Sequence, residues 1–167
     1  HEHEDLRMAV YAAMIDSMDQ NIGRLMVALK KSGAADNTLV LFLSDNGGCA
    51  EEPGGRSPKI VPGPREFYAA VGPAWGWAQN APFRRYKSWA HEGGIATPCI
   101  AWWPGQIQAN SITKEVGHII DFMPTFLELA GGKYPTKHKG NDILPMEGKS
   151  LLPILNGGKR EGHKQIA

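Results

Sequence analysis

Residues 38–48 read TLVLFLSDNGG. Leu39 to Leu43 make an unbroken apolar run of strand length, with turn residues on both sides. Such a run fits a strand buried on both faces, in the middle of a parallel or mixed sheet. The chain ahead of it supplies a helix. Over residues 4–32, Met14, Met18, Ile22, Leu25, Met26 and Leu29 recur at spacings of three and four and draw one apolar face. Lys30 and Lys31 complement the negative end of the helix dipole, and Gly33 suits the position just past the helix. Methionines on such a face belong in a core. Gly23, inside the helix, costs about 1 kcal/mol against alanine and implies a closely packed neighbour. Helix, short turn at Asp36–Asn37 and buried strand together predict an α/β domain, a mixed sheet flanked by helices.

In open α/β sheets, ligands bind where loops diverge at the carboxyl ends of strands. Asp45 and Asn46 stand at such an end. A carboxylate and a carboxamide offer hard oxygen donors, suited to calcium or magnesium rather than zinc or copper. Gly47 and Gly48 behind them free the main chain to approach an ion or anion without a Cβ clash. The same four residues also make good turn chemistry, with an Asx side chain bonded to its own main chain. The motif by itself leaves both readings open.

With 167 residues, 42% of them hydrophobic, the chain has the length of one domain and enough apolar material for a sizeable core. Its 20 glycines and 12 prolines cluster at 47–64, 72–82, 93–105 and 131–158, which predicts a loop-rich molecule. Residues 47–86 show no sustained period, and a connection that long points to function. Its portion 49–80 is a candidate wall of a substrate pocket. IATPCIAWW at 95–103 reads as a second strand, with Pro98 marking an edge or bulge. Asp121 can cap a helix running to Ala130, with Pro124 in its first turn and Gly131–Gly132 ending it. KSLLPILNGG, at 149–158, is at most a short helix.

A net charge of +1 sets up no strong field toward nucleic acid or an acidic membrane. No apolar run reaches the roughly 18–20 residues of a membrane span. The opening HEHEDL is unlike a targeting segment, and Cys49 and Cys99 fit no disulfide framework or C-x-x-C motif.

The stretch FRRYKSWAHEGGIATPCIAWWPG gathers Arg84, Arg85, Lys87 and His91 ahead of a glycine pair and the second strand. Cations opening onto a strand suit a small tetrahedral oxyanion. Taken singly, the arginines also read as solvated surface charges and His91 as a turn residue. Glu92 reads as a brace, since a free carboxylate repels an anionic substrate.

LVLFLSDNGG, followed some forty residues later by KSWAHEGGIATPCIAWWPG, resembles the sulfatase family, in particular arylsulfatase-like enzymes of the alkaline phosphatase superfamily. YAAMIDSMDQNIGRLMVALKKSG, GPAWGWAQNAPFRRYK, HIIDFMPTFLELAG and MEGKSLLPILNG are similar to further segments of that family, in the same order. The resemblance implies a sulfatase/alkaline-phosphatase-like α/β fold and metal-assisted hydrolysis of a sulfate ester. Asp45 and Asn46 would be two ligands of a divalent cation, usually Ca2+. Lys87 would contact the sulfate group catalytically, His91 would lie on the substrate side, and Gly93–Gly94 would form a tight turn. The family nucleophile is a formylglycine made from Cys or Ser in C/S-x-P-x-R. Neither Cys49, followed by AEEPGG, nor Cys99, followed by IAWWPG, carries that pattern. His1 and His3 do not map onto the family's leaving-group histidine.

Residues 1–167 are therefore expected to be the later part of a catalytic domain. The nucleophile-bearing part and most of a C-terminal subdomain would lie outside it, and the isolated chain would be inactive. Family resemblance implies a periplasmic or secreted setting and a small-molecule or glycan sulfate ester as partner. Two alternatives remain: a phosphoester or phosphonate hydrolase of the same superfamily, and a non-catalytic module binding sulfated glycans. The second would use Trp75, Trp77, Trp89, Trp102 and Trp103 as stacking faces.

Overall fold

A computed structural model describes residues 2–165 apart from 53, 54, 56, 58, 60 and 69. His1 lies outside the described residues. The elements run α1 (Glu2–Lys31), β1 (Val40–Leu43), α2 (Gly72–Gln79), α3 (Glu92–Ile95), β2 (Cys99–Trp102), α4 (Phe122–Leu129), β3 (Lys137–His138), β4 (Asn141–Asp142) and α5 (Leu152–Leu155). Contacts divide them into one unit of His1–Ala35 with Leu41–Ile100, and another of Asp36–Val40 with Ala101–Ala167.

Helix α1 begins with Glu2, Glu4 and Asp5 and ends with Lys30 and Lys31, each charge opposing the dipole end beside it. Gly33 takes φ +73°, and the Ala34 amide reaches back to the Leu29 carbonyl at 3.1 Å. That left-handed step stops the helix, as the glycine predicts. The apolar face exists but is largely uncovered. Ile22, Met26 and Leu29 are half-buried, whereas Met14 is 66% exposed and Met18 and Leu25 are also open. The described contacts of α1 pin its first turns instead: the Trp75 indole donates to the Glu4 carbonyl at 3.2 Å, and Arg7 donates to the carbonyls of Ala70 and Gly55. Gly23 has nothing within 4 Å of where a Cβ would stand. The close neighbour expected there is absent among the described residues.

The expected mixed sheet is found only in small. Among the described residues the strands form two separate pairs, β1 with β2 and β3 with β4. Strand β1 is half-buried, with Phe42 exposed, so it is not covered on both faces as its apolar run predicts. Strand β2 begins only after Pro98. Ile95, expected to open that strand, instead ends a single helical turn, α3. Helix α2 falls inside the stretch expected to be irregular; Pro73 in its first turn is the one local cue. Lys139 and Gly140, at φ +49° and +83°, turn the β3–β4 hairpin, which pairs Lys137 with Asp142 and His138 with Asn141.

The expected apolar core is also thin: Leu151 is the one large aliphatic side chain that is buried among the described residues. In the second unit a polar hub holds the packing. Asp121 is fully buried and sits where α4 starts, but its carboxylate does not cap that helix. It accepts the amides of His118 and Lys149, both at 2.8 Å, along with Arg160 at 2.5 Å and His163 Nε2 at 2.6 Å. The Asp121 carbonyl accepts the Thr125 hydroxyl at 2.6 Å, and that hydroxyl accepts the Leu151 amide at 2.8 Å. Burial pushes the Asp121 carboxyl up, but these donors and the Arg160 charge together hold it below the usual 3.8.

A depressed folded pKa contributes stability above the ordinary carboxyl range, and that stability is lost as pH falls through the depressed value. Asp121→Asn leaves Arg160 buried without its counter-charge. It should cost about 3–5 kcal/mol in denaturant unfolding at neutral pH. The difference from wild type should shrink as pH falls below about 4. Gly23→Ala, in open space on a helix, should add about 0.5–1 kcal/mol in the same assay.

Candidate functional site

Beyond β1 the chain turns sharply. The Ser44 hydroxyl donates to the Asn46 carbonyl at 2.9 Å, and the Thr97 hydroxyl donates to the Ser44 carbonyl at 2.8 Å. Three further bonds fix the glycines. Gly47 N–H meets the Gly94 carbonyl at 3.1 Å, Gly48 N–H meets Asn80 Oδ1 at 3.0 Å, and the Lys87 amide meets the Gly48 carbonyl at 3.1 Å. Asn80 is itself held by donating to the Gly76 carbonyl at 2.6 Å. Serine thus makes the turn-closing bond, and neither the Asp45 carboxylate nor the Asn46 carboxamide bonds to main chain among the described residues.

The glycines have a different reason from the one sequence suggests. A Cβ on Gly47 would collide with the Gly93 carbonyl oxygen. On Gly93 it would strike the Arg84 and Arg85 carbonyls, and on Gly94 the Trp89 and Tyr86 carbonyls. Gly47, Gly93 and Gly94 are main-chain contact surfaces, whereas a Cβ on Gly48 would meet the Gln79 and Asn80 side chains. The main-chain fit brings the Asp45–Asn46 turn against the segment that carries Lys87.

Asp45, Asn46 and Lys87 line one open cavity of about 450 Å3. Arg7, Tyr11 and Met14 of α1 form another side, and Cys49, Pro62, Tyr68 and Gln79 contribute from the long connection. Part of 49–80 therefore walls this cavity; 53, 54, 56, 58, 60 and 69 lie outside the described residues. The Lys87 ammonium pairs with Glu51 at 3.3 Å. That hydrogen bond and charge, then the Cys49 and Asp45 charges, raise the lysine above its ordinary 10.5, so it stays cationic across neutral pH. Burial pushes the Cys99 thiol up, which keeps it protonated.

His91 is not among the cavity-lining residues. Its ring stacks on Trp89, centroids 6.2 Å apart and 21° from parallel. The Arg85 guanidinium lies 4.3 Å from the Trp89 centroid and 5.8 Å from that of Trp77, and Trp77 meets Tyr86 edge-on at 6.2 Å. Arg85 and Ser88 both adopt left-handed φ, +68° and +76°, at about 1–2 kcal/mol each for a residue with a Cβ. Cation–ring contacts contribute about 0.5–1 kcal/mol apiece at partly exposed sites, enough to offset much of one such cost. Sequence reading passed over Glu51, Asn80, Arg7 and this stack. Only the crowding of aromatics and cations at 75–91 hints at the last of these.

A family model described as Sulfatase matches residues 2–132. The chain belongs to the sulfatase family. An arylsulfatase of Klebsiella aerogenes is 35% identical over 161 residues, covering 88% of this chain and 34% of its own length. The solved structure of Ps i-CgsB in complex with k-i-k-neocarrahexaose superposes with TM-score 0.64 at 27% identity, covering 89% of this chain and 27% of its own. Another structure, in complex with its substrate D-glucosamine-2-N,6-O-disulfate, matches at TM-score 0.59 and 27% identity, over 90% of this chain and 23% of its own. This sulfatase chain spans a third or less of most curated relatives it matches. No helix among the described residues is long and apolar enough to cross a membrane.

The glycine contact is the feature most open to test. Gly93→Ala sets a methyl group against backbone that cannot move aside. It should cost about 3 kcal/mol in thermal or denaturant unfolding, the upper end for overpacking.

Proposed function

We propose that this chain carries the cation-holding and anion-holding side of a sulfate-ester hydrolase site. One observation supports it above the rest. Asp45, Asn46 and Lys87 open on a single cavity, and the turn chemistry leaves the carboxylate and carboxamide unspent. A main-chain bond from either would have favoured a simple Asx turn.

Asp45 and Asn46 would hold a hard divalent cation, calcium in the family pattern, contributing two of the roughly 6–8 oxygens calcium takes. Among the described residues no cluster of three or more His, Cys, Asp or Glu offers a fuller shell, so further ligands would have to be supplied from outside these residues. When bound, such an ion polarises sulfate oxygens as a Lewis acid. Lys87 would bind the same sulfate as a compact charge with three rotatable donors, and would neutralise oxygen charge as the S–O bond breaks. Glu51 keeps the ammonium ordered on the cavity wall until an anion takes its place. A nucleophile of the formylglycine type fits neither cysteine here and would have to come from outside this chain. The organic part of the ester is a small molecule or a glycan, and the neocarrahexaose bound by one structural relative favours the glycan.

The experiment is steady-state hydrolysis of a sulfate ester by the full-length protein that contains this chain. Lys87→Ala should lower kcat/KM about 10²–10³-fold, and Asp45→Asn should weaken calcium binding measured by calorimetry. Wild-type turnover in the lysine variant would refute the role given to Lys87.

A further inference from the structure

We propose that Arg85 is a positioning residue: clamped between Trp77 and Trp89, it holds the turn that aims Lys87 into the cavity. The role in chemistry rests on the hydrolase reading above; the clamp itself does not.

Lys87 sits second in a four-residue turn. The Trp89 amide donates to the Tyr86 carbonyl at 3.2 Å, which closes residues 86–89. Ser88, in third place, has φ +76°, the value of a type II turn, where glycine is the favoured residue. Serine has a Cβ and resists that conformation, so the turn is not preorganised by its own sequence. Arg85, just ahead of it, has φ +68° and likewise carries a Cβ. Two strained residues flank the functional lysine, and strain of this kind persists only where surroundings over-determine it.

The surroundings are a stack. Tyr86 and Trp89, the two ends of the turn, are each ring-packed, Tyr86 against Trp77 and Trp89 against His91. Arg85 joins them, its guanidinium over both Trp77 and Trp89. Its Nε is buried with no hydrogen-bond partner, and among the described residues no carboxylate pairs with it. Ring faces therefore hold this side chain where an ion pair would be expected. On the main-chain side, the Gly93 amide donates to the Arg84 carbonyl at 2.9 Å, and bare Gly93 lets the Arg84 and Arg85 carbonyls lie against it. The turn is gripped from both sides, and Arg85 takes part in both grips through its guanidinium and its carbonyl. His91 ends the ladder, which gives it a bracing place.

The test uses the full-length protein with Arg85→Gly and Arg85→Lys. Glycine accepts φ +68° freely, so Arg85→Gly removes the clamp while relieving strain of similar size, and its melting temperature should stay close to wild type. Hydrogen exchange of residues 85–89 should speed up at least tenfold in Arg85→Gly. With a sulfate ester, kcat should fall at least tenfold while KM moves less than threefold. Arg85→Lys, which keeps a cation on the indoles, should recover part of both effects. Unchanged exchange at 85–89 in Arg85→Gly overturns the clamp. Faster exchange with kcat within twofold of wild type overturns its part in catalysis. Should the wild type hydrolyse no sulfate ester, the hydrolase reading fails, and the exchange result still decides the clamp.

Discussion

Everything at the site depends on two glycine pairs lying main chain to main chain. Gly47 rests against Gly93, where any Cβ would meet a carbonyl oxygen, and the Gly47 amide bonds to Gly94. The individual hydrogen bonds contribute only about 1 kcal/mol each. What they enforce is proximity. Two segments more than forty residues apart meet at backbone distance, so a side chain at 45 or 46 and a side chain at 87 share one cavity. A bulkier residue at Gly47 would part the segments and separate the groups.

With the backbone held this way, side-chain chemistry divides by position. Groups suited to an ion or an anion face the open cavity: Asp45 and Asn46 unspent, and Lys87 loosely held by Glu51. Groups suited to rigidity stack on one another in the Arg85–Trp89–His91 ladder. The second unit follows the same preference for polar hubs over an apolar core. Fully buried Asp121 accepts four donors from three stretches of chain. A carboxylate so placed strongly penalises loss of any partner, which gives a thinly cored unit a single defined arrangement.

Legibility followed the range of the interaction. Helix α1, its glycine stop and the helix ending near Ala130 were readable, because period and capping are local properties. Helix α2 was not: GPAWGWAQ has no apolar period, and its packing against Ala50 comes from elsewhere in the chain. The start of β2 was placed too early, because EGGI winds a turn whose glycines are held by the carbonyls around them. Sheet width, and how far the methionines of α1 are covered, depend on neighbours that a local pattern does not name.

By itself, the sequence determined the inventory: a helix, a strand ending in Asp-Asn-Gly-Gly, a lysine ahead of a second glycine pair, and through their order the sulfatase family. Only the tertiary structure decided how that inventory is used. It gave the turn-closing bond to Ser44 and left Asp45 and Asn46 free, set Lys87 beside them, and turned His91 onto Trp89. The reason is physical. Residue type and spacing record local periodicity and donor chemistry, whereas which donor meets which acceptor across forty residues depends on how closely two backbones can approach.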